Sequence, residues 1–356
     1  MNPLKLKLGA WLNFVRRERL YFFILALTLT VLIVSQTGAA PHEPVHSSAV
    51  DQMEAVAKNW DLTDWILSLE INPGAVFACA TFMLLFLGII GGGILFLILA
   101  IFIPRVFDWF YAGLKNTVSF EWAPAVFFRV LILIFASVII SGFAIGNLWN
   151  VNARSENLIG LVHTLIIDLL ACASVLAVLK QEGVGPAAFF GKSTQGFKEE
   201  IKRGLLGYIA AFPVFIMTLL LVMGVSEWLH YEPPAHPLVQ IFLDEEARSP
   251  FVFRFALILA AFAAPIFEEI FFRGFCYRLF KGWWGVPAAM GMSAALFAGM
   301  HGSGFAFFPI FILGLALAWL YENRGCLTAC WTFHILHNIL FTGYFFSVKA
   351  LMGTSL

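Results

Sequence analysis

From Ala75 to Ile103 the chain carries no charged residue. About 20 mostly apolar residues suffice to cross the hydrocarbon core of a bilayer, so this run reads as a membrane-spanning helix that Pro104-Arg105 terminates. It is not isolated. Similar runs lie at Leu20–Ser35, Pro124–Gly146, Leu158–Leu179, Leu205–Trp228, Phe251–Phe272, Trp284–Met300, Phe305–Tyr321 and Leu327–Phe346. Only 12% of the residues are charged, against about 25% in a soluble domain. The expected fold is therefore all-α, a polytopic transmembrane helix bundle of about eight to nine spans. The count turns on Leu20–Ser35, which is short and followed by Thr37-Gly38-Ala39-Ala40, a faint signal-peptidase pattern. A retained anchor is favoured, because the charged lead before it is long for a signal peptide.

Two parts are expected: N-terminal spans over residues 1–203, with an extramembrane segment at 36–74, and a membrane core over 204–356. Within 36–74, Asp51 to Glu70 has helical periodicity with Met53, Val56, Trp60, Trp65, Ile66 and Leu69 on one face. A helix lying on the membrane surface and one packed over the other spans fit equally. All but five of the 22 Lys and Arg fall on one side if the N-terminus is cytoplasmic, leaving Lys58, Arg154, Arg248, Arg254 and Lys349 outside. The positive-inside rule then puts the N-terminus in the cytoplasm, in what is expected to be the plasma membrane. Net charge is zero, so nothing argues for a nucleic-acid partner. Cys79, Cys172, Cys276, Cys326 and Cys330 are scattered through apolar segments and read as packing residues.

Against this background Pro265-Ile266-Phe267-Glu268-Glu269-Ile270-Phe271-Phe272-Arg273-Gly274 stands out. An ionisable side chain at the centre of a spanning helix costs about 2.5–3.5 kcal/mol on insertion scales, and is a functional hypothesis by default. Glu269 and Arg273 are four apart and share a helix face, so they can pair. Glu268 points about 100° away and has no partner on its own helix. A purely structural ion-pair network is the alternative. Two later segments favour chemistry. Phe297 and His301 close a small-residue helix, and His334 and Asn338 share a face at i and i+4, with His337 beside them. A carboxylate can take a proton from water, and His334 and the Asn338 amide are donors suited to an oxyanion. Glu268, His301 and His334 could instead hold zinc, as a two-histidine, one-carboxylate site; the asparagine, a poor zinc ligand, favours metal-free hydrolysis.

His163 and Asp168 lie five apart in one span and off a common face, and Tyr231–Pro250 reads as a solvated outer loop. A non-catalytic scaffold or transporter, with the polar cluster as brace or ion path, is the second class of function.

These three motifs, EExxxR, FxxxH and HxxxN in order on consecutive apolar helices, resemble the signature of the CPBP family, the CaaX proteases and bacteriocin-processing (Abi) enzymes. The similarity covers about Phe251 to Phe346. It implies an intramembrane endopeptidase acting on a protein or peptide substrate at the bilayer. Glu268 and His301 would activate water, His334 and Asn338 would form the oxyanion site, and Glu269 and Arg273 would support the first motif. One tension follows from the segmentation. Glu268 falls towards the inner end of its span and His301 towards the outer end of the next, so they meet only if the first helix continues, for instance through Phe280.

Overall fold

The computed structural model describes residues 17–36, 72–103, 119, 122–148, 156–191, 196–231 and 237–352, and every regular element among them is helical. In chain order these are α1 (Arg19–Gln36), α2 (Pro73–Phe102), α3 (Pro124–Leu148), α4 (Glu156–Gln181), α5 (Pro186–Phe190), α6 (Phe197–Trp228), α7 (Pro237–Arg248) and α8 (Pro250–Ile258). A π-helical segment, π1 (Leu259–Ala263), then leads into α9 (Ala264–Glu269), π2 (Ile270–Tyr277) and α10 (Arg278–Met300). The last two are α11 (Gly304–Arg324) and α12 (Leu327–Met352). The helix starts are written locally. Asn72 and Ser249 each stand before a proline, Pro73 and Pro250, and cap the backbone N–H groups of Ala75 and Val252; Ser303 does the same for Ala306.

Among the described residues six helical stretches are long and apolar enough to cross a membrane, which makes this an integral membrane protein. The expected count of eight to nine is not reached by that measure: Arg19–Leu32 is shorter, α12 is not among the six, and Pro250–Met300 counts as one stretch. The supposed surface helix at Asp51–Glu70 and the cleavage pattern at Thr37–Ala40 lie outside the described residues.

The chain divides into two compact units. The first comprises Met1–Pro44 and Trp122–Gly185, where α3 packs against both α1 and α4. Its polar centre is Arg129. The guanidinium reaches Glu18 through Nη2 at 2.6 Å and Nε at 2.7 Å, and Glu182 through Nη1 at 2.8 Å. Farther along, Ser141 Oγ and His163 Nε2 lie 2.9 Å apart.

The second unit comprises Val45–Glu121 and Pro186–Leu356. Here α6 packs on α2, α11 and α12, and α10 packs on π2 and α11. Two loops expected from the sequence are helical instead. Residues 231–250 hold α7, whose Phe242 is buried among Phe253, Phe345 and Phe346. Residues 273–283 continue the helix from Arg273 without a break, and Arg278 is buried rather than exposed at an inner surface. Arg278 donates to the carbonyls of Ala188 and Phe189, so polar backbone at α5 replaces water.

The turn comes later, at Gly285. Its φ of 78° and ψ of 177° break the helix inside α10, a conformation that glycine alone adopts at little cost. Past it the chain runs back along its own first arm: Phe297 stacks edge-on to Phe272 at 5.0 Å, and Ser293 Oγ donates to the Phe272 carbonyl at 3.2 Å. Glu268 precedes Gly285 by 17 residues and His301 follows it by 16. Both therefore sit about 25 Å from the turn, at one level of the antiparallel pair. The tension in the segmentation is removed because the first arm runs on through Phe280 to the kink.

Candidate active site

The two glutamates occupy the one regular α-helical turn, α9, between two π-helical segments. Widened turns of this kind recur at functional sites and displace backbone carbonyls from their usual partners. Pro265, which has no N–H to give, adds to that displacement. Side chains of α12 meet the irregular helix: Asn338 Nδ2 donates to the Ala260 carbonyl at 2.8 Å, and Trp331 Nε1 to that of Ile266 at 3.2 Å. These two bonds fix the height of α12 against the glutamates, and His334 lies between them in sequence.

Glu269 and Arg273 form the pair expected from their spacing. Arg273 Nη1 donates to Glu269 Oε1 at 2.8 Å, with both side chains fully buried. Arg273 Nη2 donates to the Gly314 carbonyl at 3.1 Å. Gly314 has a steric reason to be glycine. A Cβ there would lie 3.0 Å from Ala294 and 3.3 Å from the Phe297 ring, so α10 and α11 could not close to this distance. The guanidinium carbon also lies 4.6 Å from the Phe297 ring centroid, a cation–π geometry.

Phe297 is the common neighbour of the remaining groups. His301 packs edge-on against it at 4.8 Å, and His334 at 5.7 Å. His301 ends α10 and is exposed; its Nδ1 lies 2.8 Å from the Phe297 carbonyl oxygen. A carbonyl only accepts, so Nδ1 carries a proton, and in the neutral ring the lone pair is on Nε2. His334 is buried, with Nδ1 2.9 Å from Glu269 Oε1 and Nε2 3.7 Å from Glu268 Oε2. Glu268 keeps 28% of its side-chain surface exposed and, among the described residues, has no closer polar contact than that. A separation beyond 3.5 Å between two such groups is one that a water can bridge.

The structure thus brings Glu268, Glu269, Arg273 and His334 into direct contact or near it, with His301 joined to them through Phe297. Asn338 sits one turn farther along α12, where its amide is engaged by the Ala260 carbonyl with one N–H left over. His337 turns to a different neighbourhood, against Tyr208, Phe215 and Phe341. His163 and Asp168 belong to the other unit. Among the described residues no three His, Cys, Asp or Glu side chains stand close enough together to hold a metal ion. Sequence reasoning missed Gly314, Trp331 and the two π segments. Only Pro265, inside the motif, hinted at an irregular helix.

Residues 250–340 match the family model described as Rce1-like, type II CAAX prenyl endopeptidase. All three motifs lie within that range, in agreement with the resemblance to the CPBP family, and the match points to intramembrane endopeptidase activity. Neither a curated protein nor a solved structure matches the chain.

Proposed function

We propose that this protein is a metal-free intramembrane endopeptidase in which Glu268 activates the attacking water. The observation that carries this reading is the unequal fate of the two adjacent glutamates. Glu269 is buried and tied to Arg273 and His334, whereas Glu268 is partly open and faces His334 Nε2 across 3.7 Å. A carboxylate so placed can accept a proton from water as its oxygen attacks the scissile carbonyl. His301, with Nε2 free to accept, orients the same water. Negative charge then grows on the carbonyl oxygen, where a donor present beforehand is most effective. The free N–H of Asn338 and the His334 ring supply donors of the right type. The substrate is a protein or peptide segment within or next to the bilayer; the proposed location is the plasma membrane, and the distribution of Lys and Arg supports a cytoplasmic N-terminus.

Cleavage of a quenched fluorescent membrane peptide by purified protein in nanodiscs tests the assignment. Glu268→Ala and His301→Ala should abolish turnover while inserting and purifying as the parent does. Undiminished cleavage by the Glu268→Ala protein sinks it. Activity and zinc content after chelation test the metal-free version; loss of both together, restored by zinc, overturns it.

A further inference from the structure

His334 has two ring nitrogens, and the structure gives them different company. Nδ1 is 2.9 Å from Glu269 Oε1, a fully buried oxygen that also accepts from Arg273 Nη1. An oxygen already binding a guanidinium is held as a carboxylate acceptor, so the hydrogen in this contact belongs to Nδ1. In the neutral ring the lone pair is then on Nε2, the nitrogen facing Glu268. Phe297 packs edge-on to the ring at 5.7 Å and lies under the Arg273 guanidinium.

We propose that Glu269 is a positioning residue that fixes His334 as the Nδ1–H tautomer, so that His334 enters the reaction as a proton acceptor and becomes an oxyanion donor only afterwards. This rests on the water-activating role of Glu268. As the water oxygen bonds to the scissile carbon, its proton passes to the Glu268 carboxylate and on to His334 Nε2. The imidazolium now carries an Nε2–H that can donate to the oxyanion, and the charge it gains is met by the carboxylates on either side. When the C–N bond breaks, that proton leaves with the amine, and both Glu268 and His334 return to their starting forms. The histidine therefore gains its donor at the moment the oxyanion appears.

Nitrogen-15 spectra of histidine-labelled protein in nanodiscs, with the His334 signals assigned by their loss in His334→Gln, read the tautomer without turnover. The resting enzyme should show a protonated Nδ1 and a bare Nε2. In Glu269→Gln the new amide can donate to Nδ1 and push the proton to Nε2. Turnover should then fall on the order of 10²–10⁴-fold, the effect known for a mis-set catalytic histidine, with KM within about twofold. Glu269→Asp should recover the Nδ1–H signal and part of the rate. A resting enzyme that shows Nε2–H and still cleaves overturns the inference. So does a Glu269→Gln protein with unchanged spectrum and rate. If Glu269→Gln does not fold, the parent spectrum decides alone. Failure of the endopeptidase reading looks different, since the Nδ1–H signal would persist in a protein that cleaves nothing.

Discussion

Arg129 and Arg273 are both buried arginines in apolar helices, each clasped by a glutamate, yet their surroundings differ in one respect. Around Arg129 everything is engaged: both Glu18 oxygens bind it, Glu182 binds the remaining nitrogen, and Arg17 adds to Glu18 from outside. The same closure holds where Arg324 grips Glu200 with two nitrogens, and where Lys281 and the Tyr277 hydroxyl share Glu322. Around Arg273 the pairing stops at Glu269, leaving the preceding acid in the chain partly open beside a histidine. Buried charge by itself marks nothing. What sets the Arg273 cluster apart from these closed braces is a carboxylate whose neighbours all have other partners.

That contrast makes Glu268 and Glu18 opposite tests. Glu268→Ala should remove turnover by on the order of 10²–10⁴-fold, the range expected for a lost general base, or about 3–5 kcal/mol on the barrier. Its thermal midpoint should barely move, since no closed pair is broken. Should that variant unfold early, Glu268 is a brace after all and the distinction between the regions collapses. Arg273→Met comes next. It strands Glu269 and His334 in a dry setting, and breaking a buried pair from one side costs about 3–5 kcal/mol. Intrinsic fluorescence melts, with 11 tryptophans as reporters, should show the largest drop of the series. A midpoint equal to the parent's means the Arg273 pair does not brace the bundle.

The sequence carried most of this contrast at the level of single helices. Spacing alone paired Glu269 with Arg273 and turned Glu268 away, because i, i+4 geometry is a property of any α-turn. Three motifs on apolar segments also marked side chains that the fold gathers around Phe297. What spacing could not convey was how the elements return on one another. The kink is one glycine among 29, and nothing in Trp284-Gly285-Val286 separates a φ of 78° from an ordinary loop. Residues 274–283, with Arg278 and Lys281, read as an inner loop on charge alone; in the fold those cations find backbone carbonyls of α5 and Glu322. A buried cation looks like a surface one until its partner, tens of residues away in sequence, is known. The Asn338 amide was likewise legible as a donor, whereas its bond to the Ala260 carbonyl depends on a π-helical turn that no periodicity announces.

The smallest effect is expected where the closed cluster meets the helix start. Glu18→Gln keeps the shape but weakens charge-assisted bonds, so about 1.5–3 kcal/mol should be lost at neutral pH, with turnover per folded molecule unchanged. The pH dependence sharpens this. Hydrogen bonding from Arg129 holds the Glu18 carboxyl below the usual carboxylate range, against the opposing pull of burial. A group that ionises more readily when folded contributes fully above its unfolded value of about 4.3. That contribution fades as the pH falls through the lower, folded value, where both states become protonated. Melts of parent and Glu18→Gln protein should therefore differ most near neutrality and converge in acid. A gap that stays constant from pH 7 downwards means that the Glu18 charge adds nothing to the clasp, and that Arg129 is held by Glu182 and packing alone.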